Sequence, residues 1–447
     1  MFFLEKKYYK NNLKLAVPII IANIGQSTVA IIDNIMVGRL GAIELAAAAL
    51  ASIIITNVMV LGMGIALSLT PLTGGLYATR DFKKAAGLFQ NSIILNSLIG
   101  ILISLLLYFA TPLLWKIGQP TEVIAMCENY FKIVAISLFP FMIFLSFKQF
   151  MEGIGNTKIS MTITIISNII NIVLNYILIY GKFGAPAMGI DGAAVATLAS
   201  RVFMPIAFFV YLRSHNSLHR YFNFFSGKNM RLQSQKLLLT VGLPISAQMV
   251  MEVFALSITA IMMGWISAEA LAANQIILSV MSLMFMVICG ISGAVTILVS
   301  HEYGQGNFTT IRRYTKAGVQ MSTIFMFGAA VCFVLFGEYI AMAYTSNQSV
   351  IEMAGKLFII AALFEMSDGF QVTVLGALRG IRDVKLPMIY AFVSYLLINI
   401  PAAYILGFKF NLGEQGIWCG FFLGLTTAGI LFVTRFIKKT KTIIGVR

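Results

Sequence analysis

The sequence predicts an all-α integral membrane protein, with about twelve transmembrane helices in two six-helix bundles related by an internal parallel repeat. Of the 447 residues, 59% are hydrophobic and only 11% are charged, and the mean hydropathy of +0.89 is outside the range of soluble globular domains. Apolar runs of about 20 residues, enough for one helical span each, recur along the whole chain. The sequence also repeats itself at a shift of about 226 residues.

Twelve apolar runs are the predicted spans. In chain order they cover residues 15–38, 45–75, 87–109, 126–148, 159–180, 190–212, 237–264, 271–300, 317–344, 351–378, 386–407 and 415–437. The first run is too long for the apolar part of a cleavable signal peptide, and no small-residue cleavage site follows it. We therefore expect it to remain as a span.

The connections between these spans carry an asymmetric charge. With the N-terminus on the cytoplasmic side, 25 of the 32 Lys and Arg residues fall on that side, among them Lys148, Lys228, Arg379 and Arg447. The opposite side has only Arg39, Lys116, Lys182, Lys356 and Lys409. This distribution follows the positive-inside rule, so the net charge of +15 does not indicate nucleic-acid binding. We predict a multi-pass protein of a bacterial cell (inner) membrane with both termini cytoplasmic.

An internal repeat divides the chain into two halves. A shift of 226 aligns "MVGRLGAIELAAAAL" (36–50) with "MMGWISAEALAANQI" (262–276) and Pro18 with Pro244, and a shift of 227 aligns Gly153 with Gly380. Each half holds six spans, an even number, so both halves start on the same side of the membrane. Parallel repeats of this kind are typical of transporters, whose substrate site lies near mid-membrane. The predicted organisation is an N-terminal six-helix bundle (1–213), a cytoplasmic basic linker (214–236) and a C-terminal six-helix bundle (237–447).

Four acidic residues lie inside predicted spans: Asp33, Glu252, Glu365 and Asp368. An ionised Asp at a helix centre costs about 2.5 to 3.5 kcal/mol on insertion scales, so such residues face a bundle interior or a water-filled cavity. Glu252 and Asp368 are deep in their spans. Asp33 is nearer an outer end, where reaching water is the alternative role, and Gln26 shares its helix face two turns earlier.

The fifth span carries Asn168, Asn171 and Asn175 at spacings of three and four, which gives one amide-lined stripe. Each amide can both donate and accept hydrogen bonds, which suits a wet cavity or a coordinating role. The alternative is that these amides hold neighbouring helices together. Lys132 and Arg201 are predicted near the outer ends of their spans, where long basic side chains reach the interface.

Motifs for other functions are missing from the sequence. The four cysteines all fall inside predicted spans, which indicates apolar packing and neither a disulfide nor a metal set. "GIGNTK" (153–158) only approximates a phosphate-binding loop, so the sequence does not predict an ATP-driven pump. His215 and His219 lie four apart in the basic linker without a third metal ligand.

Several motifs together resemble one transporter family over essentially the whole chain. They are the first-span residues Gln26, Asp33, Met36 and Gly38 before "ELAAAAL", Asn171 and Asn175 before "YGKFGAPAMGIDGAAVAT", Pro244 eight residues before Glu252, and "MSDGFQVTVLGALRG" with Asp368, Gln371 and Gly376. The chain is identified by this resemblance as a member of the multidrug and toxic compound extrusion (MATE) transporters, in the NorM-type branch.

The resemblance implies two six-helix bundles forming a V, and secondary active efflux of cationic or amphiphilic compounds in exchange for inward Na⁺ or H⁺ by alternating access. It implies cation binding by Glu252, Asp368 and Asp33. The only metal ion that it implies is Na⁺ at Glu252 and Asp368. The implied substrate-cavity residues are Gln26, Asn171, Asn175, Glu365 and Gln371. No cofactor or catalytic residue is implied, and we expect a monomer in the lipid bilayer. Glu365 departs from the family pattern, and its like charge one turn from Asp368 leaves the choice of Na⁺ or H⁺ open.

Two other functions are compatible with parts of this pattern. A flippase for lipid-linked precursors, from the same superfamily, shares the architecture but usually has a more cationic cavity, whereas the cavity residues here are acids and amides. A channel or membrane enzyme is the rival from another class. The sequence shows no intramembrane Ser/His or His/metal set, so we do not expect an enzyme.

Overall fold

The computed structural model describes residues 4–227 and 230–445, in which every regular element is helical. The helices are α1 (Lys6–Gly38), α2 (Ala42–Leu67), α3 (Leu69–Ala78), α4 (Phe82–Ala110), α5 (Thr121–Ile136), α6 (Leu138–Gly153), α7 (Thr157–Tyr180), α8 (Gly189–Ser214), α9 (Asn216–Asn223), α10 (Leu232–Ile266), α11 (Ala268–Gln305), α12 (Phe308–Met342), α13 (Gln348–Gly380), α14 (Lys385–Ala391), α15 (Ile400–Tyr404) and α16 (Gly413–Gly445). A 3₁₀ turn (Thr111–Lys116) follows α4, and π-helical segments (Phe392–Asn399 and Ile405–Lys409) flank α15. Lys228 and Arg447 lie outside the described residues.

All twelve predicted spans lie in helices. Eleven helical segments of the described chain are long and apolar enough to cross a membrane. Helix α13, which contains the tenth predicted span, is not among the eleven, but its 33 residues are also enough to cross a membrane by length. The helices extend beyond the apolar runs by polar turns, as at Lys6–Lys14 of α1. The hydropathy prediction of an all-α membrane protein is therefore confirmed.

Several spans are built from more than one helical segment, for local reasons. The second and fourth spans break at Ser68 and Ser137, whose hydroxyls donate to the carbonyls of Ile65 at 2.7 Å and Val134 at 2.6 Å. A serine that bonds back into the preceding turn competes with the helical ladder and bends the helix. The eleventh span contains Pro401, which has no N–H to donate, and its flanks are π-helical.

By their contacts, the described residues form two compact units. The N-terminal unit comprises Ile21–Ser246, and the C-terminal unit comprises the residues up to Ile20 together with those from Ala247 onward. The two boundaries between these units lie inside helices α1 and α10. Ile20 and Ser246, the last residues before the boundaries, each lie two residues after a proline, Pro18 or Pro244, and the repeat aligns these two prolines. The contact-based units thus divide the chain at other residues than the predicted bundles 1–213 and 237–447 and linker 214–236, which remain a prediction.

The same helix crossings occur in both units, as the repeat requires. In the N-terminal unit, a Cβ added to Gly64 would lie 2.4 Å from the Cα of Ser246. In the C-terminal unit, a Cβ added to Gly290 would lie 3.2 Å from the Cα of Ile20, so the backbones approach closely there too. Gly64 and Gly290 are aligned by the shift of 226, and so are Ile20 and Ser246.

A second pair of contacts repeats in the same way. The Thr70 hydroxyl donates to the carbonyl of Gln149 at 3.0 Å, and the Thr296 hydroxyl donates to the carbonyl of Gly376 at 2.9 Å. These four residues are aligned by shifts of 226 and 227. The repeat is therefore present in the contacts between helices as well as in the amino-acid sequence.

The stretch after α8 packs on the N-terminal unit through aromatic side chains. Arg220 of α9 lies over the ring of Phe82 at 3.9 Å, and Tyr221 contacts Phe150 edge to face at 4.9 Å between ring centroids. The amide of Gln90 exchanges two hydrogen bonds with the backbone of residue 226 at 3.1 and 3.2 Å. The predicted basic linker therefore begins as an anchored helix.

Candidate functional site

Helix α13 carries two buried acids and a buried amide in the C-terminal unit. Glu365, Asp368 and Gln371 are 1%, 4% and 0% exposed, and Arg379 is half-buried in the last turn. Asp368 and Arg379 are eleven residues apart, close to three full turns, so they lie along one side of the helix. The helix thus aligns two acids and a base across the depth of the predicted tenth span.

Helix α11 fixes α13 at a close crossing next to these groups. The Ser292 hydroxyl donates to the carbonyl of Val372 at 2.7 Å, one turn below the Thr296 to Gly376 bond. Gly376 lets the backbones approach, because a Cβ there would lie 2.4 Å from the Ser292 Oγ and 2.6 Å from its carbonyl oxygen. The depth and rotation of Asp368 and Gln371 therefore depend on this crossing.

Helix α10 brings Glu252 to the same cluster. Glu252 is half-buried and interacts electrostatically with both Asp368 and Arg379, and Asp368 interacts likewise with Glu365. The three predicted acids of the C-terminal unit are therefore together. They do not form a closed ligand set, because no group of three or more His, Cys, Asp and Glu side chains in the described ranges could hold a metal ion.

The π-helical segment before α15 adds the hydroxyl group of Tyr395 to the cluster. The side-chain amide of Gln371 donates to the hydroxyl of Tyr395, which is 1% exposed. Among buried atoms without a hydrogen-bond partner are Glu365 Oε2, Gln371 Oε1 and both polar atoms of the Asn399 side chain. Buried polar groups are normally paired, and oxygen atoms are the ligands of hard cations. The unpaired oxygens are therefore of the chemical type that a small cation binds.

A second polar site lies in the N-terminal unit. Asp33 of α1 is half-buried and accepts a hydrogen bond from the amide of Asn175 on α7. Asn175 also donates to the Asn171 Oδ1 at 3.1 Å, and Asn171 donates to the Ser200 Oγ at 3.5 Å on α8. The amide stripe therefore makes hydrogen bonds between helices, and one of its amides also binds the Asp33 carboxylate.

Two further residues of this unit, Gln26 and Arg201, lie in different environments. Gln26 is half-buried on α1, two turns before Asp33, and its side chain makes no hydrogen bond within the part of the chain that the structure describes. Arg201 was expected to reach the interface. Instead it donates to the Ser137 Oγ at 2.7 Å, lies over Phe141 at 5.0 Å and interacts electrostatically with Asp33. A carboxylate and an aromatic face hold it inside the unit.

The sequence prediction missed three polar residues of the C-terminal cluster: Gln248, Arg379 and Tyr395. Arg379 was counted among the cytoplasmic charges, but α13 continues to Gly380 and its guanidinium donates to the Gln248 Oε1 at 3.3 Å. Lys148 was counted in the same way, yet it is 8% exposed inside α6, 3.9 Å from Glu152. Helical spacing could have indicated them, because Gln248 precedes Glu252 by four residues and Tyr395 precedes Asn399 by four.

Comparison with known families gives a match in each half of the chain. The family model described as MatE matches residues 18–177 and again 244–405. The two matches begin at aligned positions of the repeat, so each half carries the family pattern by itself.

Individual proteins match along almost the full length. The chain is 30% identical to the "Probable multidrug resistance protein NorM" of Rhizobium meliloti (strain 1021), over 98% of this chain and 94% of that protein. It is 31% identical to the "Multidrug resistance protein MdtK" of Yersinia pseudotuberculosis, over 95% of this chain and 94% of that protein. Its fold matches a solved structure of the "outward-facing conformation of a multidrug resistance MATE family transporter of the MOP superfamily" with a TM-score of 0.89 at 20% identity, covering 98% and 97% of the two chains.

Proposed function

The chain belongs to the MATE family of multidrug efflux transporters, and we propose that it exports cationic or amphiphilic compounds in exchange for inward Na⁺ or H⁺. It is a multi-pass membrane protein, not an enzyme. The observation that supports the proposed exchange is the cluster of Glu252, Asp368 and Glu365 in the C-terminal unit. A buried acid can hold a small cation or a larger organic cation, but not both at once.

Competition for these acids would produce antiport. When Na⁺ or H⁺ neutralises Glu252 and Asp368, the electrostatic hold on a cationic substrate weakens and the substrate leaves. Moving one net charge across 100 mV is worth about 2.3 kcal/mol, so the exchange of two inward monovalent cations for one monovalent substrate, which moves one net charge, would give steep accumulation outside. Glu365 and Gln371 would supply further oxygens to a bound cation, since each has an unpaired buried oxygen.

The N-terminal unit would contribute a second cation-binding position at Asp33. Its carboxylate is oriented by Asn175, which is in turn held by Asn171. Gln26, on the same side of α1, would line the substrate cavity with these amides. Each unit would then have its own carboxylate chemistry, built from different residues of the repeat.

The remaining proposals concern the arrangement of the chain in the membrane. We place both termini in the cytoplasm because the basic residues concentrate on that side of the spans. We propose that one chain is a complete transporter, because the repeat supplies both bundles within it. The N-terminal bundle (1–213) and the C-terminal bundle (237–447), joined by the linker (214–236), would give alternating access to the cavity.

The test is dye efflux in proteoliposomes with an imposed Na⁺ or H⁺ gradient. We expect Asp368→Asn and Glu252→Gln to lose ion-driven efflux of ethidium. The matched control is Glu352→Gln, an exposed acid on the same helix α13, which should transport like the unaltered protein. The gradient that drives efflux identifies the coupling ion. Unchanged ethidium efflux by Asp368→Asn under both gradients would contradict the assignment.

A further inference from the structure

Two hydrogen-bond donors next to Glu252 are buried and have no acceptor. They are the Nε of Arg379 and the side-chain nitrogen Nε2 of Gln248, which is 2% exposed. The two side chains meet through a single hydrogen bond of 3.3 Å from the Arg379 NH2 to the Gln248 Oε1. Since buried donors are normally paired, this corner of the C-terminal unit is shaped to receive an acceptor that carries negative charge.

Glu252 is the acceptor within reach. It follows Gln248 by four residues on α10, so the two side chains are neighbours on one helix face. It attracts Arg379 electrostatically, yet no ion pair within 4.0 Å joins them in the described ranges. The other groups that interact with the Arg379 guanidinium, Cys289 and Tyr395, are not carboxylates. Glu252 therefore interacts with two charged groups of opposite sign, the guanidinium of Arg379 and the carboxylate of Asp368.

We propose that Arg379 and Gln248 form a second docking position for the Glu252 carboxylate, which makes Arg379 a tethered cation that competes with the transported cations. With a cation bound, Glu252 turns toward Asp368 and shares it. Without one, Glu252 turns to the donors of Arg379 and Gln248. Arg379 is a positioning residue in this scheme, because it acts on the substrate only through Glu252. The inference rests on the proposed function and adds the element that limits how tightly a substrate is held.

This arrangement has a clear physical basis. A buried carboxylate with no counter-charge is costly in a medium of low dielectric constant. The tethered guanidinium supplies that counter-charge whenever the transported cation is absent. Lys and Arg differ here, because Arg presents several donors in a fixed fork and Lys a single compact charge. Lys at position 379 would keep the competition but not the bidentate geometry.

The test is a double-mutant cycle on ethidium binding to the purified full-length protein, followed by fluorescence. Arg379→Gln removes the competitor and should tighten ethidium binding by about tenfold, within the range measured for directly coupled charged residues. Arg379→Lys should stay within about threefold of the unaltered protein, since the charge is kept. In a Glu252→Gln background, Arg379→Gln should have no further effect, because the competed group is gone.

The outcomes separate this inference from the proposed function. Equal effects of Arg379→Gln in both backgrounds, or weaker binding in both, would indicate a structural role and overturn the inference. If Arg379→Gln does not fold, Gln248→Leu takes its place, because it removes only the second donor; it should tighten binding less, and again only when Glu252 is present. If Glu252→Gln and Asp368→Asn both bind ethidium like the unaltered protein, the cation site itself is wrong, whatever Arg379 does.

Discussion

The crossing of α11 and α13 gives the sharpest stability prediction, through Gly376→Ala. The added methyl group would lie 2.4 Å from the Ser292 Oγ and 2.6 Å from the Ser292 carbonyl oxygen. A side chain could rotate away, but the carbonyl belongs to the α11 backbone, so the two helices must separate. That separation lengthens the bonds from Ser292 to Val372 and from Thr296 to Gly376, which are now 2.7 and 2.9 Å.

The cost follows from these contacts. Overpacking in a tight interior costs about 1 to 3 kcal/mol, and each weakened interhelical hydrogen bond in a membrane protein about 0.6 to 2 kcal/mol. Replacing Gly by Ala in a helix returns up to about 1 kcal/mol. We expect a net loss of about 2 to 4 kcal/mol in the free energy of unfolding. Because α13 also carries Asp368 and Gln371, ethidium efflux should fall as well.

The assay is thermal unfolding of the purified protein in detergent, with ethidium efflux measured in parallel. The matched control is Gly328→Ala, in the middle of α12, where an added Cβ meets nothing within 4 Å. It should unfold at the same temperature as the unaltered protein or slightly higher. If Gly376→Ala were as stable as Gly328→Ala, the close crossing of α11 and α13 would be refuted.

Two further predictions concern single polar contacts. Asn175→Leu removes the donor to Asp33, so ethidium efflux should drop and the free energy of unfolding should fall by about 1 to 3 kcal/mol. Asn168→Leu, on the same helix α7, is the comparison, and an equal loss in both would show that the Asp33 bond has no special role. Asp383→Asn breaks the 2.6 Å ion pair with Arg435; the Asp383 side chain is 10% exposed and the Arg435 side chain 24%. The free energy of unfolding, measured by thermal unfolding, should fall by about 1 to 3 kcal/mol. Asp81→Asn breaks a similar pair with Lys84, which is 75% exposed, and should cost less than about 1 kcal/mol, because exposed pairs contribute little and Asn caps a helix as well as Asp.

Most spans were predictable because a long run of high mean hydropathy marks a segment that enters a bilayer. The breaks at Ser68 and Ser137 were not, since one hydroxyl hardly changes the mean hydropathy of a run. Arg379 was assigned to the cytoplasm because a base near a span end normally reaches water. Its actual environment depends on Gln248, which is 131 positions away in the chain.

The sequence predicted most of the residues that belong to the polar sites, but it did not predict which of them contact each other. Helical spacing placed Asn171 and Asn175 on one face of α7, but spacing within a helix does not say which helix faces it. That Asp33 of α1 meets Asn175 is a tertiary fact, as is the meeting of Gln371 with Tyr395. The family resemblance named most of these residues because it carries information about partners that periodicity lacks.

The division of α1 and α10 between units has a consequence for biosynthesis. Translation delivers the residues up to Ile20 first, yet the unit in which they pack is finished only when the chain from Ala247 onward has been made. The N-terminal unit, in turn, is complete only when Ser246 has left the ribosome. Two fragments expressed separately and divided within 224–231 would each lack a segment of their own unit and carry a segment of the other. We expect such fragments to mature only when they are made in the same cell.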